Sequence, residues 1–231
     1  MRTGLPLPLH VRLLRSLLPL LAGGFVVSGC AIGGGATTVR GSGHVKTERR
    51  TVAVFDQVAF SGVGQLTITQ TGKESLTVEA DDNLLPLLTS SVSGGTLQLG
   101  VKENTELQSA TILKFNVTVK ALKGISLSGA GNAKVDTLIT PALKVTLSGA
   151  GHLAVTGRAD GQDVTLSGVG SYDGSQFSTK TAKVIISGTG NAIVQVSATL
   201  DAEVSGVGSV DYIGNPRVTQ HVTGLGSVRK R

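Results

Sequence analysis

Ser128-Gly129-Ala130-Gly131-Asn132-Ala133-Lys134-Val135 is answered by Ser148-Gly149-Ala150-Gly151-His152-Leu153-Ala154-Val155, and that repetition decides the fold. The four-residue phrase heading each stretch occurs seven times. The other copies are Ser61-Gly62-Val63-Gly64, Ser167-Gly168-Val169-Gly170, Ser187-Gly188-Thr189-Gly190, Ser205-Gly206-Val207-Gly208 and Thr223-Gly224-Leu225-Gly226. From the second copy onward the starts fall at 128, 148, 167, 187, 205 and 223, which are spacings of 20, 19, 20, 18 and 18. Fourteen of the 32 glycines lie inside these phrases, so the glycine excess is periodic rather than scattered.

The flanks identify the unit. Apolar residues stand three and one before six of the seven Ser/Thr: Val58/Phe60, Ile125/Leu127, Val145/Leu147, Val164/Leu166, Val184/Ile186 and Ala202/Val204. They resume five and seven after it: Leu66/Ile68, Ala133/Val135, Leu153/Val155, Ala192/Val194 and Val210/Tyr212. Alternation with a period of two on both sides of Gly-x-Gly means strand, bend, strand. A strand-only period of 18–20 is too short for a propeller blade and lacks the leucine-rich pattern. It fits an all-β, right-handed parallel β-helix, a solenoid with one 18–20-residue coil per repeat. The paired glycines Gly62, Gly64, Gly129, Gly131, Gly149, Gly151, Gly168, Gly170, Gly188, Gly190, Gly206, Gly208, Gly224 and Gly226 are its structural turns. The residue between them (Val63, Ala130, Ala150, Val169, Thr189, Val207, Leu225) is mostly small or apolar and is expected to point inward.

Stacking turns equivalent positions into columns. Four before the Ser/Thr stand Lys144, Asp163, Lys183 and Asp201, a charge ladder of alternating sign. Two before it, Ser126, Thr146, Thr165, Ile185, Glu203 and His221 are expected to face outward. The regular coils run over 125–231. Residues 48–124 are irregular first coils with longer loops that cap the stack. Within them Asp81-Asp82-Asn83 before Leu84-Leu85-Pro86-Leu87-Leu88 suggests a capped short helix or an irregular excursion.

The N-terminus reads as a lipoprotein signal peptide over 1–29. Arg2, Arg12 and Arg15 form a positive start, Ser16 to Val27 an apolar run, and Val27-Ser28-Gly29 places small residues before Cys30. Cys30 is the one cysteine, which excludes a disulfide scaffold and suits lipidation. A lipid anchor makes the membrane a partner and the cell envelope the address, with the outer membrane favoured by Ala31 after the cysteine. Residues 30–47, rich in glycine, read as a flexible tether. Cleavage takes the net charge from +6 to +3, and Arg229-Lys230-Arg231 accounts for the remainder. The body is neutral, and aromatics are only 3% of the chain, so no nucleic-acid partner is implied.

The Arg49-Arg50 to Phe55-Asp56 segment, Glu79-Ala80-Asp81-Asp82-Asn83-Leu84-Leu85 and the iterated Ser-Gly-x-Gly coils together resemble the head GIN domain family of bacterial envelope proteins. That resemblance implies a β-helical fold and an adhesive role.

Chemistry is sparse. Each Gly-x-Gly leads into a strand without Gly-Lys-Ser/Thr, which argues against a phosphate loop, and neither cofactor nor metal is implied. His44, His152 and His221 fall in different columns or outside the repeat. Asp173 and Asp211 share a column two coils apart, about 9–10 Å, near the upper limit for an inverting carboxylate pair. The reading is therefore a lipid-anchored, non-catalytic binding or adhesion module with a glycan or surface-protein ligand. An envelope scaffold without a soluble ligand is the alternative, and a β-helix polysaccharide lyase or hydrolase the second.

Overall fold

The computed structural model describes residues 36–231, and the expected signal peptide and Cys30 lie outside them. Among the described residues, seventeen strands account for nearly all regular structure. The first nine are β1 (Thr37–Arg40), β2 (Val45–Arg50), β3 (Gln57–Phe60), β4 (Val63–Gln70), β5 (Ser75–Asp81), β6 (Leu88–Ser93), β7 (Thr96–Val101), β8 (Thr105–Gln108) and β9 (Leu113–Val119). Then follow β10 (Gly124–Leu127), β11 (Ala130–Leu147), β12 (Ala150–Leu166), β13 (Val169–Ile186), β14 (Thr189–Val204), β15 (Val207–Ile213), β16 (Arg217–Val222) and β17 (Leu225–Lys230).

From β10 onward the chain is a parallel β-solenoid. Each long strand bends at corners and pairs in parallel with the next, β11 on β12 on β13 on β14, then β15 with β16, then β17. Inward positions form the core. Val145, Val164, Val184 and Ala202 stack in one buried column, and Leu147, Leu166, Ile186 and Val204 in another. One core layer is polar as well as apolar. The buried Tyr172 hydroxyl donates to Gln162 Oε1 at 2.8 Å, and Gln162 Nε2 donates to Thr179 Oγ1 at 3.0 Å. Thr179 in turn donates to the Gln195 carbonyl at 3.0 Å, so every member of the buried chain is satisfied. Burial pushes the Tyr172 phenol far above its usual range, so it remains a donor at any physiological pH. Small Ala182 and Ala192 lie in the columns next to Gln162 and Tyr172, leaving room for the ring.

The N-terminal region obeys different rules. The first phrase is in register with the second, Val63 against Ala130, although 67 residues separate the phrase starts at 61 and 128. Those residues leave the stack and return. β7 runs parallel beneath β3, and β9 parallel beneath β4. β5 then runs antiparallel to β9 and β2, and β6 antiparallel to β7. Phe55, Phe60 and Phe115 are buried here, with the Phe60 and Phe115 rings edge to face at 5.3 Å between centroids.

In this region one expectation is corrected, and of the two readings of residues 81–88 the irregular excursion holds. The flexible tether over 30–47 gives way to folded structure from β1: β1 pairs with β8, and β2 with β5. The cause is the Asp81-Asp82-Asn83 run. Asp81, fully buried, accepts from Gly43 N at 2.8 Å, Thr111 N at 2.7 Å and Thr111 Oγ1 at 2.8 Å. Asp82 accepts from Ser42 Oγ at 2.6 Å, and Asn83 bonds Ser42 N and the Arg40 carbonyl at 3.0 and 2.8 Å. These side chains clamp the backbone of residues 40–43, where freedom was expected. Nor do they cap a helix: Leu85–Leu87 is a single 3-10 turn with no side-chain cap.

Candidate functional site

The repeat glycines occupy the inward slots of one corner. At Gly168 an added Cβ would collide with the carbonyl oxygens of Gly149 and Ser148 in the coil before, and Gly149, Gly188, Gly206 and Gly224 meet the equivalent carbonyls. The corner backbone meanwhile stays bonded from coil to coil, as in Val169 N to Gly149 O at 3.0 Å and Thr189 N to Gly168 O at 2.9 Å. Close approach is therefore what the glycines provide here.

The residue between the glycines points outward, contrary to expectation. Val63, Val169, Val207 and Leu225 are 38%, 64%, 48% and 80% exposed, and Ala130, Ala150 and Thr189 are exposed too. The two-residue alternation runs through the phrase unbroken: Leu166 in, Ser167 out, Gly168 in, Val169 out. The corner is too tight for an inward Cβ, so glycine takes both inward slots.

Lys144, Asp163, Lys183 and Asp201 lie in one exposed column, each in register with the next. Among the described residues none of the three steps forms an ion pair within 4.0 Å; the side chains spread into solvent. Lys144 and Asp163 border a hollow of about 420 Å³ beside Lys123, which is tied to Asp56 at 2.6 Å. Ser126, Thr146, Thr165 and Ile185 are half-buried in the neighbouring column, and Glu203 and His221 exposed.

Asp173 and Asp211 share a column with Ile193 between them. Asp211 Oδ1 accepts from Arg229 Nε at 2.7 Å. Burial pushes the Asp173 carboxyl up, but bonds from Ser175 together with His152 and Arg231 outweigh it and hold it below its usual range. Asp173 is thus a carboxylate at neutral pH and unsuited to act as a general acid. His152 Nδ1 lies 2.8 Å from Ser171 Oγ, one step of a polar column that continues through Asn191 to Ser209. No cluster of three or more metal-ligating side chains occurs among the described residues.

A different wall holds a groove of about 710 Å³. It lies beyond the positions where unequal coil lengths shift the register, after Val135, Ala154 and Gly174. Inward residues Thr140, Ala159, Thr179 and Val196 make its floor in successive coils. One rim carries Ile139, Arg158, Ser178 and Gln195, and the other Pro141, Asp160, Lys180 and Ser197. Asp160 and Lys180 pair at 2.8 Å, and that bond holds the Lys180 ammonium above its usual range. Sequence reasoning singled out none of these residues. The floor and rims come from the coil positions that differ most between repeats, and the only signal was the drift of the period from 20 to 18.

A family model described as "Putative auto-transporter adhesin, head GIN domain" matches residues 54–216. The chain belongs to the head GIN domain family. The match runs from β3 to β15, and takes in the whole of the groove. Among solved structures, the head GIN domain described here is similar to a putative adhesin from Bacteroides fragilis at 24% identity and a TM-score of 0.72, covering 84% of this chain and 100% of that one. A putative lipid binding protein from Parabacteroides distasonis, at 22% identity and a TM-score of 0.54, also spans 84% of this chain and 100% of its own. A putative adhesin from Parabacteroides merdae gives 21% identity and 0.54, over 84% and 99%. These likenesses confirm the β-solenoid fold. No curated protein matches the chain. The family membership points to a binding or adhesion role at the cell envelope or surface.

Proposed function

We propose that this head GIN domain is a lipid-anchored cell-envelope module that binds or adheres without catalysis, and that the lateral groove is its recognition surface. The observation that carries the reading is the groove itself. It crosses four stacked coils, mixes apolar, hydroxyl and charged side chains, and is built on the strands β11–β14, which pair with one another through it. Such a wall is rigid, so a ligand meets a preformed surface and little ordering entropy opposes binding. The anchor reading rests on the Arg-rich start, the apolar run and the small residues before Cys30.

Filling the groove tests the recognition surface. Cells displaying the full chain are scored for adhesion to host matrix and to neighbouring bacteria, beside cells displaying Ser178→Trp. Adhesion should fall at least about tenfold in the variant while surface level and thermal midpoint hold. Unchanged adhesion would remove the groove from the mechanism. Palmitate labelling tests the anchor: the native chain should take up label, Cys30→Ser should not, and label persisting in Cys30→Ser would refute it.

A further inference from the structure

We propose that the groove takes a short acidic oligosaccharide laid along the solenoid axis, with a sugar carboxylate on Arg158. The proposal rests on the groove being the recognition surface and adds the class of ligand.

The charges speak first. Of the three ionised side chains lining the groove, Lys180 and Asp160 neutralise each other on one rim at 2.8 Å. Arg158 stands exposed on the other rim and enters no ion pair or side-chain hydrogen bond among the described residues. A free guanidinium at the edge of a concavity presents a planar fork of donors, which matches a carboxylate bidentately.

The remaining lining suits a sugar. The half-buried Ala159 and Ile139, 53% exposed, offer apolar surface to the C–H face of a pyranose ring. Gln195 uses Oε1 to accept from Ser178 Oγ at 3.1 Å, which leaves its amide N–H groups for hydroxyl oxygens. Coils recur every ~4.8 Å, close to the advance of one unit in an extended polysaccharide, so four layers accommodate roughly three or four sugars.

Two other ligand classes fit less well. A peptide would gain most by adding as a strand, but β12 and β13 in the middle of the groove pair on both sides. Only its two end layers offer an open ladder, and a strand added there would run across the groove's end rather than along it. An acyl chain would gain by leaving water, and this groove is an open trough that leaves one side of its occupant solvated. A hydroxylated polymer keeps that solvation and still reaches both rims.

The test uses the full-length protein in nanodiscs of zwitterionic lipid. An array of galacturonate, glucuronate and mannuronate oligosaccharides, each beside its methyl ester, is followed by calorimetry on the best pair. The acid should bind at least about tenfold tighter than its ester, the worth of one charge-assisted bond. Arg158→Gln should bring the acid down to the ester's affinity, and Ser178→Trp should remove both. Equal affinity for acid and ester, full affinity in Arg158→Gln, or no binding by any oligosaccharide overturns the proposal. The adhesion assay separates the two failures. Adhesion lost in Ser178→Trp with no sugar bound leaves the groove standing and the acidic sugar refuted. Adhesion kept in Ser178→Trp brings down the groove reading as well.

Discussion

The N-terminal cap and the regular stack use glycine for opposite reasons. In the cap Gly43, Gly72 and Gly94 have φ of +83°, +83° and +56° with open space where a side chain would go. They are there for the backbone conformation. In the stack Gly149, Gly168 and Gly188 show no positive φ, yet the preceding coil's carbonyl oxygens fill the side-chain position. They are there for the contact. The cohesion differs in the same way. A coil meets another coil of the same shape, and Val, Leu and Ala columns suffice. The end of the array has no such neighbour, so antiparallel strands, three phenylalanines and a carboxylate clamp close it.

Alanine at one glycine of each kind should separate the two uses. Gly168→Ala pushes a Cβ into two carbonyl groups of a rigid coil, so a loss beyond about 4 kcal/mol, seen as insoluble or unfolded protein, is expected. Gly94→Ala meets nothing and only strains a hairpin turn, at about 1 kcal/mol by denaturant titration. Gly94→Asn should recover part of that, since asparagine tolerates the left-handed region. Comparable losses at the two sites would dissolve the distinction.

Tyr172→Phe comes next in size. It deletes the donor to Gln162 and strands a buried acceptor, which should cost about 1–3 kcal/mol in chemical denaturation. A combined Tyr172→Phe, Gln162→Leu variant should differ from the sum of the single changes, because one hydrogen bond joins them.

The cap should yield first to acid, and locally. Asp81 is held below its usual range by the Thr111 N–H; burial opposes this, while the Thr111 hydroxyl and Gly43 N–H add to it. Asp82 is lowered too, chiefly by the Ser42 hydroxyl and then, against burial, by Lys46. A carboxyl with a depressed folded pKa stabilises above its unfolded value near 3.9, and that contribution fades as pH falls through the folded value. Protection factors at residues 41–43 and 111, taken against the intrinsic exchange rate at each pH, should therefore fall on going from pH 6 to pH 3, ahead of those in β12 and β13. Asp81→Asn should expose the same amides at pH 6. Uniform loss of protection across cap and stack would show that the clamp does not act locally.

The stack was legible because its constraint repeats: seven phrases carry the same inward glycines, and their flanks alternate. The one misjudged position followed from treating the corner as an interruption. Carrying the alternation from Leu166 to Val169 without a break places Val169 outside, as observed. The cap resisted because its contacts are long-range and occur once. Nothing local to Asp81 announces Gly43 or Thr111 as partners, and a run of Asp-Asp-Asn before leucines looks like a helix cap. The groove resisted for a third reason. It forms where coils differ in length, so no column there is uniform enough to stand out in the sequence.

The smallest effect concerns the charge ladder, where register and energy part company. Lys144, Asp163, Lys183 and Asp201 are aligned coil by coil, yet no step closes to an ion pair. Exposed charges at that spacing are screened by water and salt, so Asp163→Asn should change stability by less than about 0.5 kcal/mol. Reversing the charge is the sharper probe. Asp163→Lys would line up three lysines in successive coils, directly opposed and unable to avoid one another without bending the strands. A loss of up to about 1 kcal/mol is expected at low salt, shrinking toward zero at high salt. The matching comparison is Lys46→Glu, which faces Asp82 at 3.3 Å in the cap and breaks an existing pair. If the ladder reversal destabilises more than the cap reversal, the column contributes to holding the stack together. If it costs less, alignment in the stack is a consequence of the repeat and the glycine corner alone sets the register.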